Sequence, residues 1–147
     1  MGSSRFVAVV AAGAAVACIG APAQAAITEF TPTQTLYFGA TVCGGNLRAW
    51  AETNPDWPGR AILHLQATQA VGIDGISSFA PVCNVSAGIS WRNLDTGAAG
   101  TWPVHVVAGF YGSIEYALFQ ETGPGRVSAT VSTGAWHLQG RGEFVVP

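Results

Sequence analysis

Between Cys83 and Arg92 the chain alternates: Val85, Ala87, Ile89 and Trp91 fall on one side, Asn84, Ser86, Ser90 and Arg92 on the other. A repeat of two marks an extended strand with one face in a core, because successive Cβ atoms leave a strand on opposite sides. The repeat recurs. Leu47, Ala49 and Ala51 oppose Arg48, Trp50 and Glu52, while Ala61, Leu63, Leu65 and Ala67 oppose Arg60, His64, Gln66 and Thr68, with Ile62 the apolar exception. Val127, Ala129 and Val131 alternate through Arg126–Ser132. Thr35–Cys43 is rich in aromatic and β-branched residues, which also favours a strand. Ser113–Gln120 and His137–Val146 are read as further strands, and Gly140 and Gly142 predict a bulge or tight bend in the last. Asn93–Gly100 is read as a hairpin loop leading into Thr101–Ala108, a register that sets Trp91 against Trp102 on the core side.

No window after residue 25 sustains a 3.6-residue apolar repeat long enough for a helix, although the connection 71–81 has room for a helical turn. Roughly seven or eight short strands with regular turn signals predict an all-β fold, an antiparallel two-sheet sandwich of immunoglobulin-like architecture. The spacing departs from an antibody-type domain, because Trp50 follows Cys43 too closely and Cys83 comes too early.

Residues 1–25 read as an export signal. Arg5 lies in a short polar start, Phe6–Ile19 is apolar, and Ala23-Gln24-Ala25 offers a small-residue cleavage site. The apolar run is shorter than the roughly 20 residues that cross a bilayer. Residues 26–147 are therefore expected to be a single exported domain, secreted or held at the cell envelope, without a transmembrane segment. Removing the leader also removes Cys18 and leaves Cys43 and Cys83 to form one disulfide in an oxidising space. The rival reading makes Cys18 a lipid-attachment site; Ala15 stands where such sites usually carry a larger aliphatic residue.

Charged residues make up only 10% of the chain and there is no lysine. Nothing forms the basic patch that nucleic acid requires, so nucleic-acid binding is not expected. So sparsely charged a surface suits association with neutral polymers or other proteins.

The cysteine pair, the turns Asp95-Thr96-Gly97 and Glu121-Thr122-Gly123, and the ending Gly140-Arg141-Gly142-Glu143-Phe144-Val145-Val146-Pro147 resemble small secreted proteins of high-GC Gram-positive bacteria, a group largely without assigned function. The resemblance implies a secreted or envelope location and contributes no active site.

Candidates for chemistry are few. Asp95-Thr96-Gly97-Ala98 has the form of an aspartic-protease signature, but Arg92-Asn93-Leu94 precedes it where that family carries an apolar strand, so a turn is expected. His64, His105 and His137 lack metal-binding spacing; convergence with Asp56 or Asp74 is the alternative to three unrelated surface histidines. No cofactor or metal is expected, and no catalytic residue is assigned. Trp57, inside Asn54-Pro55-Asp56-Trp57-Pro58-Gly59, and Trp50, sharing a face with Arg48 and Glu52, are the candidate ligand-binding residues, because an exposed indole stacks on sugar rings or anchors an interface. Against this stands plain packing, with Trp57 plugging one end of the fold and Trp50 covered by a loop. The expected function is a non-enzymatic binding or structural module at the envelope, with an envelope protein or glycan as partner. A carbohydrate-binding module and a small secreted hydrolase are the alternatives.

Overall fold

The computed structural model describes residues 24–39, 41–73 and 82–147. The leader as far as Ala23, Cys18, Asp74 and most of the 71–81 connection lie outside the described residues. Within them the chain forms ten strands and no helix: β1 (Ala26–Glu29), β2 (Thr33–Phe38), β3 (Val42–Thr53), β4 (Ala61–Gly72), β5 (Cys83–Asn93), β6 (Ala99–Ala108), β7 (Tyr116–Gln120), β8 (Gly125–Thr133), β9 (His137–Leu138) and β10 (Gly140–Val146). Every pairing is antiparallel. The strands run β10-β8-β5-β2-β3-β4-β7 in one open sheet, with β1 beside β3, β6 beside β5 and β9 beside β2. Among the described residues one ladder pair, Phe38 with Asn84, joins β2 to β5.

The alternating residues do what their spacing predicts. On β3 and β4, Leu47, Ala49, Ala51, Ala61, Leu63, Leu65 and Ala67 are buried, as are Val85, Ala87, Ile89 and Trp91 on β5. With Val106, Val127 and Val131 they form one apolar cluster. Each large aliphatic side chain taken fully out of water stabilises the fold by about 1.5–3 kcal/mol. Cys43 on β3 and Cys83 on β5 form the expected disulfide, with Cα atoms 6.4 Å apart. It joins β3 to β5 close to the Phe38–Asn84 pair of β2 and β5.

Three local expectations are corrected. The Thr35–Cys43 segment is not one strand: the chain turns after Phe38, and Tyr37 pairs with Cys43 across the hairpin. Trp91 does not face Trp102. The turn closes earlier, where the Asn93 N–H donates to the Ala98 carbonyl (2.7 Å), so Trp91 pairs with Gly100 and Trp102 with Ile89. Gly100 is what admits the indole, since a Cβ there would lie 2.6 Å from the Trp91 ring. The final strand also divides at Gln139, with β9 pairing β2 and β10 pairing β8. Gly140 sits at this change of partner, where a Cβ would strike Thr31 and Thr33.

Beyond the break, Phe144 on β10 stacks on Phe30 at 6.1 Å between centroids. Gly142 makes the contact possible, because a Cβ at that position would fall on the Phe30 ring. Gly142→Ala is therefore expected to overpack this corner and cost about 2 kcal/mol, measured as a lowered urea midpoint. An unchanged midpoint would mean that Phe30 relocates freely.

Candidate binding face

The side chains of β2, β3 and β4 that point away from the core make a second surface, and it divides into two chemically different ends. The charged end lies over the second half of β3. Cross-strand pairing sets Glu29, Trp50, His64 and Ala117 in one row, and Ile27, Glu52, Ile62 and Phe119 in the next. The His64 ring stacks on Trp50 at 4.7 Å, within 6° of parallel. The Arg48 guanidinium lies 4.3 Å from the same indole and pairs with Glu29, Nε to Oε2 at 3.1 Å. That carboxylate holds the Arg48 pKa above its usual value. His64 Nδ1 meets Glu115 at 2.7 Å, and Nε2 lies 3.5 Å from Glu52.

These contacts answer two expectations from the sequence. Trp50 is only 7% exposed, so it is a packing residue and offers no open ring face to a ligand. His64 is buried rather than on the surface, because its row of neighbours covers it. Alternation foretold the side of the sheet correctly; it carried no information about cross-strand cover.

Trp57 occupies an intermediate position. Its loop is fixed by Asn54, whose Oδ1 accepts the Asp56 N–H and whose carbonyl accepts the Trp57 N–H, both at 2.9 Å. The half-buried indole meets Phe119 edge-on at 5.1 Å. Arg60 lies 5.2 Å over the same phenyl ring and reaches Glu121 at 4.0 Å. Phe119 was legible only as one member of a strand, without a sign that it would partner Trp57.

The neutral end lies over the first half of β3. One row across β9, β2, β3 and β4 reads Leu138, Gln34, Asn46, Gln69. The Leu36 N–H donates to the Trp136 carbonyl (3.1 Å), continuing the β9 register so that Trp136 stands beside Leu36, which pairs with Gly44. Trp136 is 67% exposed and Leu138 is 53% exposed. No charged residue belongs to either row. Neighbouring glycines disturb the alternation here, so the facing of Trp136 cannot be read from the sequence.

The remaining candidates lie elsewhere. Asp95-Thr96-Gly97 is a turn in which the Asn93 side-chain oxygen accepts the Asp95 and Thr96 N–H groups at 2.9 and 3.0 Å. The Asp95 carboxylate accepts the Arg126 backbone N–H (2.7 Å) and meets its guanidinium (3.3 Å), contacts that hold its pKa below the usual range. His105 is exposed on β6, and His137 on β9 places Nδ1 2.8 Å from the Ala135 carbonyl. His64, His105 and His137 thus stand on strands that do not pair with one another. Among the described residues no group of three His, Cys, Asp or Glu side chains is placed to hold a metal ion. Burial pushes the Tyr37 phenol well above its ordinary pKa. Among the described residues, no helix is long and apolar enough to cross a membrane. No protein-family model, curated protein or solved structure matches the chain.

Proposed function

We propose that this protein is an exported, non-enzymatic binding domain of the cell envelope, released from its leader near Ala25, that meets its partner through the neutral end of the outer face. In this reading the sheet folds over into two layers, as in an immunoglobulin-like sandwich. The short β2–β5 ladder, one pair among the described residues, and the shared core favour such a fold-over. The observation that carries the functional reading is the exposure of Trp136 and Leu138 in two rows that hold no charged side chain. An exposed indole with apolar neighbours is a strong contact former, since it adds large area at little conformational cost. The disulfide supports an oxidising destination. The reactive groups support a non-catalytic role: His64 is held between Glu52 and Glu115, and Asp95 is engaged by Arg126.

Cosedimentation of the exported protein with native envelope fragments tests this. The protein is expected in the pellet, and Trp136→Ala is expected to release it while leaving thermal unfolding unchanged. Recovery in the supernatant, or a pellet fraction indifferent to Trp136, would reject the assignment. A non-reducing intact mass equal to Ala26–Pro147 less two hydrogens checks processing and disulfide together, and added acyl mass at Cys18 would contradict it.

A further inference from the structure

We propose that the neutral end of the outer face is a platform for an uncharged polysaccharide lying across the strands, an inference that rests on the binding role above and names its ligand class. Three features specify that chemistry. The first is hydrogen bonding. The side-chain amides of Gln34 and Asn46 are exposed and that of Gln69 is half-buried, and none of the three is engaged with another described residue. An amide presents both donor and acceptor, so it matches hydroxyl groups, which are also both. The second is the indole of Trp136, 67% exposed one row away. A pyranose ring has apolar C–H faces and a polar rim, and an indole beside amides meets both.

The third is spacing. Gln34, Asn46 and Gln69 occupy paired positions on adjacent strands β2, β3 and β4. Neighbouring strands lie about 4.8 Å apart, close to the length of one pyranose unit, so successive sugars can meet successive amides. The row next to the amides is apolar: Gly44 stands between Leu36 and Val71, and a Cβ on it would lie 3.4 Å from the Ile73 side chain. Charge decides between ligand classes. An anionic polymer needs cations: neither row holds one, Arg48 on β3 is already paired with Glu29, and the Arg141 guanidinium, near Leu138 in sequence, bonds the Gln139 side chain. An added peptide strand needs a free sheet edge, whereas on β3 the backbone is laddered to β2 and β4 on both sides.

The test is retention of the exported protein on insoluble cellulose and chitin, with alginate beads as the anionic comparison. Retention on at least one neutral polymer and not on alginate is expected, with little change between low and high salt because no charge pairs form. Trp136→Ala should weaken retention about tenfold, as should Gln34→Ala/Asn46→Ala, each equivalent to about 1.4 kcal/mol. The double variant tests the site without touching the indole. Trp57→Ala should retain normally; loss with Trp57→Ala alone would move the site to the charged end and overturn the proposal. Failure on both neutral polymers, equal retention on alginate, or indifference to both neutral-end variants would likewise overturn it. If the protein still pellets with envelope fragments through Trp136 while ignoring the polysaccharides, the ligand class is wrong and the binding role stands.

Discussion

Replacing Asn93 with alanine should destabilise the fold by about 4 kcal/mol, among the largest effects of any single substitution here. Asn93 ends β5, is fully buried, and is the junction of two turns. Its Nδ2 donates to the carbonyls of Thr122 (3.0 Å), Gly123 (3.2 Å) and Pro124 (2.9 Å), which fixes the β7–β8 connection. Its Oδ1 accepts two N–H groups of the β5–β6 turn. Alanine leaves donors and acceptors unpaired on both sides, at about 1–3 kcal/mol for each that water does not reach. Asn93→Asp should be nearly as damaging, because it turns a carboxylate toward three carbonyl oxygens. Urea unfolding of both variants measures the effect. A loss under about 1 kcal/mol would show that water substitutes for the side chain.

The second large effect is expected from the disulfide. Cys43 and Cys83 are 40 residues apart in sequence and link β3 to β5. Cross-linking a loop of that length stabilises by roughly 4 kcal/mol, chiefly by restricting the unfolded chain. Small domains are held by about 5–15 kcal/mol in all, so Cys43→Ala/Cys83→Ala should remove a large share. The bond also sits where, among the described residues, one ladder pair joins β2 to β5. Hydrogen exchange in the double variant should therefore rise first around Phe38 and Asn84. Equal denaturant midpoints for wild type and double variant would contradict the expectation.

The two halves of the outer face show how far a sequence can be read. Alternation puts Arg48, Trp50 and Glu52 on the side of β3 away from the core, and they are there. Their fates differ because of residues on other strands: His64 and Arg48 cover Trp50, and Glu115 reaches His64 from the segment before β7. Likewise Gln34, Asn46 and Gln69 are unremarkable in sequence, separated by a hairpin and a long strand. Pairing alone makes them a row. Trp136 was hidden for another reason. The glycines near it and the change of partner between β9 and β10 both break the period that would show its facing.

By itself the sequence determined the strand-forming character of the chain, the core side of β3, β4, β5 and β8, the turn at Asp95-Thr96-Gly97 and the Cys43–Cys83 pairing. The first three follow from a period of two and from turn residues, which are properties of neighbouring residues, and the pairing follows from the cysteine count once Cys18 is set aside with the leader. The tertiary structure alone decided the strand order, the shortened hairpin that separates Trp91 from Trp102, and the burial of Trp50. It also decided which tryptophan remains open. Those depend on which strands become neighbours, and strand pairing is a long-range choice made by the closing of the core.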